Sequence, residues 1–352
     1  MKNKVTIQEI ADFVGLSKFA VSRALSGKSG VSEQTRNKIL KAAGQLGYFK
    51  EGHYPTADGL ELREVDPQRF SGTVLVLFPN TRFQNNDSQY WGPIIEGIST
   101  RLHQKDLNTL TLTELSGEDL FSLLNPKAIR GIITVGTIST PILLDIKQMD
   151  IPVVMIDHLD PALHCDTVFV DNFYSMKELM TKLISRGFRN FQFVGNINET
   201  VSNFERWIGF CAALDEYGIE HEQIPSLVGP GVNDSEETFM QAIREHELPE
   251  VFVCANNNAA ELVIEKLNSS GFDIPGDVRV TGFDNTHEPL MLLATVIVNK
   301  KMLGMRAVDQ LLWRLLNRTS HYEKLLISAD VVFRELPEAV QAEPAHHPGE
   351  IG

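Results

Sequence analysis

The chain has few cysteines and no run of apolar residues long enough to span a bilayer. Its three cysteines, Cys165, Cys211 and Cys254, lie far apart and form no metal-spaced pair. An odd number of scattered thiols argues against a disulfide framework and fits a reducing compartment. Buried structural thiols are their expected role. No apolar stretch approaches the ~20 residues of a membrane-spanning helix, so no membrane partner is expected. No continuous apolar core stands behind the charges of residues 1–6, so no secretory signal is read there and a cytoplasmic location is expected. Catalytic signatures are equally sparse. No Gly-x-Gly-x-x-Gly follows the first strand-like run, and Gly229-Pro230-Gly231 reads as a turn. No serine nucleophile elbow or zinc-protease motif occurs, and His346-His347 sits in a Pro/Glu/Ala tail. The expectation is a protein that is not an enzyme, with no catalytic residue, metal or cofactor.

What is present is ordinary in composition and uneven in charge. At 352 residues, 43% hydrophobic and 22% charged, the chain has the balance of a soluble protein with two or three compact units. The net charge is −14, yet residues 1–50 carry nine basic and three acidic side chains, a balance of +6 that leaves −20 on the remainder. A basic head on an acidic body is the pattern of a polyanion-binding segment whose body is repelled by phosphate.

That head reads as three short helices. Thr6-Ile7-Gln8-Glu9 is a capping box, and Ile7, Ile10, Ala11 and Val14 share the face of the helix that it opens. Gly15 tolerates the left-handed backbone that stops this helix. Ser17 caps a second helix with Val21, Ala24 and Leu25 turned inward, and residues 26–30 form a loop by composition. Ser32 or Thr35 opens a third helix, with Ile39, Ala42, Ala43 and Leu46 as its stripe. Helix, tight turn, helix and supporting helix make a helix-turn-helix. The second helix exposes Lys18, Phe19, Ser22 and Arg23 opposite its apolar face. Arginine pairs with guanine bidentately, while lysine and serine hold phosphate or bases.

The body alternates strands and helices. Continuous apolar runs at 73–78, 109–112, 131–135, 153–156, 191–195, 251–254 and 278–282 are separated mostly by helical stretches at 90–104, 118–124, 176–186, 207–217, 236–246 and 259–269. Continuous rather than alternating apolar strands are buried on both faces, and the β-α order predicts doubly wound parallel sheets. Ligands of such sheets sit past the carboxyl ends of the strands.

Residues 5–17, 20–27, 31–36 and 42–48 form a long ordered match that resembles the opening of lac repressor (LacI/GalR) family regulators. Val170-Asp171-Asn172, Arg206-Trp207-Ile208-Gly209-Phe210, Cys254-Ala255-Asn256 and Val280-Thr281-Gly282-Phe283-Asp284-Asn285 extend it, more loosely, through the body. The resemblance implies an α/β protein with four parts. These are a helix-turn-helix head (1–50), a linker (51–71), a two-lobed effector-binding and dimerisation core similar to periplasmic sugar-binding proteins (72–336), and a tail (337–352) expected to be disordered. It implies a sequence-specific regulator of the repressor type, binding near-palindromic operator DNA as a homodimer under the control of a small effector, a sugar or sugar derivative. A cytoplasmic sugar-binding or sugar-processing protein with an accessory head is the alternative. Lys18, Phe19, Ser22 and Arg23 fall on base-reading positions, and Thr6, Ser17, Ser32 and Thr35 on phosphate-contacting ones. Arg206, Asn256 and Asp284 match effector-holding positions, and Asp157 joins them as a carboxylate following a strand. Such a set suits hydroxyl pairs: carboxylates accept, an amide does both, and guanidinium offers a fixed fork of donors. Trp91, Phe83 and Phe204 are candidate sugar platforms.

The linker departs from the family pattern. Relatives carry a short hinge helix whose leucine wedges into the minor groove. Here Gly52, Pro55 and Gly59 oppose a continuous helix, and Ala57 near the wedge position is too small to unstack a base step. Residues 51–70 also hold five acids against two arginines. The hinge is either displaced towards Leu60-Glu61-Leu62 or absent.

Overall fold

The structure, a computed structural model, describes residues 5–49, 72–78, 88–113, 124–220, 222–230, 236–286 and 291–334. The linker with its expected hinge, Phe83, residues 118–123 of an expected helix and the tail lie outside them. The chain divides into two compact units. Unit 1 comprises Met1–Asp171, Thr200–Ser202 and Asn299–Ala329; unit 2 comprises Asn172–Glu199, Asn203–Val298 and Asp330–Gly352.

The head follows its local signals. α1 (Ile7–Val14) is opened by a complete capping box: the Glu9 N–H donates to the Thr6 hydroxyl at 3.2 Å, and the Thr6 N–H donates to the Glu9 carboxylate at 2.7 Å. α2 (Lys18–Leu25) and α3 (Glu33–Leu46) are capped by Ser17 and Ser32, each accepting at 3.2 Å from the N–H three residues on. Three caps in a head this small matter because each contributes about 1 kcal/mol to helices too short to be stable alone. Ile10, Ala11, Val14, Val21, Ala24, Ile39, Ala42 and Ala43 form the buried core, as the helical stripes require.

The rest of unit 1 is a parallel sheet in the order β10-β5-β4-β3-β1-β2, formed by β1 (Thr73–Leu77), β2 (Asn108–Leu112), β3 (Ile129–Val135), β4 (Val153–Ile156), β5 (Asp166–Val170) and β10 (Lys324–Ile327). α4 (Trp91–Gln104), α5 (Thr140–Gln148) and α10 (Lys300–Leu316) pack with it. β1, β3 and β4 are buried along nearly their whole length, whereas β2 at the edge is exposed over its first four residues. α4 and α10 touch backbone to backbone. A Cβ at Gly97 would collide with the Lys301 carbonyl, and one at Gly304 with the Ile94 carbonyl, so glycine is what permits this packing.

α10 is fastened to β5 by a buried ion pair that the apolar pattern does not announce. Arg314 Nε and Nη2 donate to the two Asp166 oxygens at 2.6 and 2.8 Å, with side chains 3% and 0% exposed. The guanidinium also donates to the Asn317, Ser320 and His321 carbonyls. The pair therefore anchors the turn leading into β10.

Unit 2 has the order β11-β9-β8-β7-β6, with β6 (Phe191–Val194), β7 (Val251–Cys254), β8 (Arg279–Phe283), β9 (Ala294–Ile297) and β11 (Asp330–Phe333). All neighbours are parallel except β11 against β9. Its helices are α6 (Asn172–Ser185), α7 (Val201–Glu216, whose first two residues belong to unit 1), α8 (Glu236–Glu245) and α9 (Asn257–Ser269). α6 and α7 begin four and six residues before the periodicity suggests. Their first two turns carry buried polar residues, Asn172, Ser175, Ser202, Asn203 and Arg206, which interrupt the apolar stripe.

Burial pushes all three thiols above the usual range, Cys211 to about 11 with help from Asp215. They are protonated at neutral pH, as structural thiols should be. Among the described residues no helix is long and apolar enough to cross a membrane, and no cluster of His, Cys, Asp or Glu has the makings of a metal site.

Candidate nucleic-acid interface and effector-site residues

Helical geometry turns Lys18, Phe19 and Ser22 of α2 outward, with the Phe19 ring 68% exposed. Arg23 is different. It is half-buried: Nε donates to the Ser29 carbonyl at 2.7 Å, and the guanidinium lies 5.3 Å from the Phe19 ring centroid. Phe19 and the 26–30 loop thus hold Arg23 back against the head. To reach a base it must exchange the Ser29 carbonyl for guanine acceptors. Thr6, Ser17 and Ser32 are committed to helix caps, and Thr35 accepts from the Ser32 hydroxyl at 2.8 Å. Each cap leaves its hydroxyl at a helix N-terminus, where backbone N–H groups attract phosphate. Sequence reasoning did not single out Arg36. It donates to the Ala24 and Lys28 carbonyls at 3.1 and 2.6 Å and ties the end of α2 to α3.

One prediction belongs to this surface. Arg23→Ala should weaken operator binding by roughly 1–3 kcal/mol and relax preference at one base step. Lys38→Ala should weaken all sequences alike and flatten the salt slope. Equal losses for Arg23→Ala on operator and random DNA would remove its base-reading role.

In unit 2 the structure brings Arg206 and Asp284 together. Arg206 leaves the second turn of α7, and Asp284 follows the last residue of β8. Their side chains are 3% and 11% exposed and meet in a forked pair, with Nη2 donating to Oδ1 at 2.9 Å and Nη1 to Oδ2 at 3.3 Å. Arg206 Nη1 also donates to the Ala255 carbonyl at 2.8 Å and Nε to Asn172 Oδ1 at 2.9 Å, and the guanidinium stacks 3.8 Å from the Phe283 ring centroid. Asn172 was missed as a candidate. The signal was the Val170-Asp171-Asn172 motif, whose buried amide the spacing alone does not assign. Asn256 is not part of this cluster of contacts. Its Oδ1 accepts the Ala259 N–H at 2.9 Å and caps α9, leaving its Nδ2 hydrogens as the donors a ligand would use.

Asp157, the fourth candidate, belongs to unit 1 and follows β4. It accepts the Tyr90 hydroxyl at 3.2 Å and the Ser202 hydroxyl. The Tyr90 ring meets Trp91 edge-on at 4.8 Å. Phe204, another candidate platform, is 49% exposed two residues before Arg206. Asp157 and Asp284 share an unusual backbone, with φ of 54° and 86°. Aspartate tolerates this left-handed region better than most residues. Here it turns a carboxylate at the carboxyl end of a parallel strand, the side on which open α/β sheets bind ligands.

Comparisons with known proteins agree with this architecture. Residues 6–51 match the family described as bacterial regulatory proteins, lacI family, and residues 72–335 match periplasmic binding proteins and sugar binding domain of LacI family. Catabolite control protein A of Priestia megaterium is 24% identical over 96% of this chain and 98% of its own length. Among solved structures, a transcriptional regulator CelR–cellobiose complex superposes with a TM-score of 0.64 at 21% identity, covering 94% of this chain and 99% of its own. A lac repressor dimer bound to operator and the anti-inducer ONPF gives 0.60 at 19% identity, with 96% and 100% covered.

Proposed function

Because the chain belongs to the LacI family of bacterial regulatory proteins, it is a DNA-binding transcriptional regulator, and we propose that its operator affinity is set by a polyhydroxylated effector held at Arg206 and Asp284. The observation that carries this reading is the forked pair itself: a buried guanidinium and carboxylate, backed by the Asn172 amide, at the carboxyl end of β8. A sugar hydroxyl donates to the carboxylate while a neighbouring hydroxyl accepts from the guanidinium, so a diol replaces hydrogen bonds in kind. The Asn256 amide of the same unit supplies a further polar contact of the sort carbohydrates use. One head presents one recognition helix and reads a short half-site. The proposed working form is therefore a homodimer on a near-palindromic operator. The lac repressor dimer bound to operator supports that assembly by likeness of fold.

The test combines two measurements on the full chain. Binding to a duplex selected from a random pool should fall steeply with salt, since phosphate contacts release counterions. Thermal unfolding with cellobiose, ribose, glucose and their phosphates should show one class raising the melting temperature. A native-state ligand at a hundred times its Kd adds about 2.7 kcal/mol. That sugar should change operator affinity. Turnover of the sugar, or retention on DNA without sequence preference, would favour the alternative of a sugar-processing protein with an accessory head.

A further inference from the structure

Within unit 1 the head is seated on the loop that joins β4 to β5. Gly44, buried in α3, faces the main chain of Pro161 and Ala162. A Cβ at this position would lie 2.6 Å from the Pro161 oxygen and 2.7 Å from the Ala162 nitrogen. Glycine is among the poorest helix formers, and here it permits an approach that any side chain would block. Past the end of α3, Lys147 of α5 donates to the Phe49 carbonyl and places its ammonium 5.6 Å from the Phe49 ring centroid. Lys41, one turn before Gly44, lies close enough to His158 to act on its charge. Burial holds the His158 imidazole below the usual range against the opposing Asp160 carboxylate, and the Lys41 ammonium pushes the same way as burial. His158 Nε2 is buried with no hydrogen-bond partner among the described residues.

The loop under this seat is braced by hydrogen bonds. Asp160, 5% exposed, accepts the Ala162 N–H at 2.8 Å and the Thr140 hydroxyl of α5 at 2.6 Å. Pro161 has a fixed φ. Asp157, four residues before Pro161, opens the same loop in the left-handed conformation. A short, braced segment therefore carries a proposed ligand carboxylate at one end and the seat of the DNA-binding head at the other.

We propose that this docking is a control device: a change at Asp157 is passed through the 157–162 loop to α3, and so to the bearing of the head, within one chain and independently of the linker. The proposal rests on Asp157 being an effector contact. Its physical basis is that α3 supports α2 from behind and that Lys18, Phe19 and Ser22 stay exposed in the docked state. A docked head is thus competent to read DNA but held in one orientation, and an undocked head is not. Coupling between two sites requires an element that both bias, and the loop is that element.

The experiment uses the full chain and needs no sugar. Hydrogen exchange of segments 40–46 and 157–165 is compared in wild type and Gly44→Ala, a change that favours the helix and opposes the seat. Both segments should lose protection in the variant. Operator affinity is then measured for wild type, Asp157→Asn, Gly44→Ala and the double variant. Asp157→Asn should shift affinity about fivefold or more in the wild-type background, in the range of typical coupling, and less than about twofold once Gly44→Ala has unseated the head. Lys147→Ala, on the surface of α5, should act like a weaker Gly44→Ala and guards against a folding defect in the head. Unchanged exchange in Gly44→Ala, or additive effects of the two substitutions, would overturn the proposal. Sugar titration of the wild type judges the effector reading separately, so failure of one is distinguishable from failure of the other.

Discussion

Arg206→Ala is expected to destabilise unit 2 by about 3–5 kcal/mol and to abolish any sugar response. The reason is the isolation of the partner rather than the loss of an attraction. Removing the guanidinium leaves Asp284 as a nearly buried carboxylate without counter-charge, and leaves Asn172 Oδ1 and the Ala255 carbonyl without their donor. A loss of this size is a large part of the roughly 5–15 kcal/mol that holds a domain folded. Urea unfolding of the full chain should show the change in unit 2. Stability and recognition can be separated. The uncharged pair Arg206→Met with Asp284→Asn should recover part of the loss, because it leaves no unpaired buried charge and asparagine tolerates the left-handed backbone of this position. It should not recover binding of the sugar found by thermal unfolding. A wild-type midpoint for Arg206→Ala would mean that the pair is not sequestered in solution, and sugar binding by the uncharged double variant would remove the pair from the site.

Arg314→Ala should produce a loss of similar size in unit 1. Asp166 lies at the start of β5 with no exposed surface, and besides Arg314 it accepts the Glu323 N–H at 2.8 Å. Without the guanidinium, Asp166 keeps its burial and loses its charge partner, and the carbonyls of Asn317, Ser320 and His321 lose a donor. The control is Lys301→Ala. Lys301 and Glu96 form a close pair with side chains 46% and 62% exposed, and a pair of that kind contributes at most about 1 kcal/mol. Denaturant midpoints should therefore move several times further for Arg314→Ala than for Lys301→Ala. Equal shifts would show that the α10–β5 anchor carries no special weight. The Arg206 and Arg314 pairs lie in different units and share no partner, so their effects should add.

The contrast between these ion pairs and the rest of the fold shows what could be read in advance. The head was legible almost residue by residue, since capping boxes, left-handed glycines and short apolar stripes act over three or four positions. The runs read at 73–78, 109–112, 131–135, 153–156, 191–195, 251–254 and 278–282 each fall on a strand, within one or two residues of its ends. β5 was not legible, because it opens Asp166-Thr167, an unlikely start for a buried strand until Arg314 is known to lie against it. α10 was passed over for a related reason: Gln310 and Arg314, both buried, fall on its inward face. Among the candidate site residues, Arg206 and Asp284 were named from the sequence, yet Asn172 was not, and Asn256 turned out to cap a helix.

The sequence by itself determined the organisation of this protein: a basic helix-turn-helix head, an acidic parallel α/β body and the residue types suited to hydroxyl-rich ligands. These follow from rules of local range, in which charge, capping and apolar periodicity are read within a few positions. Only the tertiary structure decided which charges are buried in pairs, that Arg23 is held against Ser29 and Phe19, and that Gly44 lets α3 rest on the Pro161–Ala162 backbone. These depend on partners brought together from distant positions in the chain, Arg314 and Asp166 being 148 residues apart. A buried charge or a bare glycine acquires its meaning only from the group that folding sets against it.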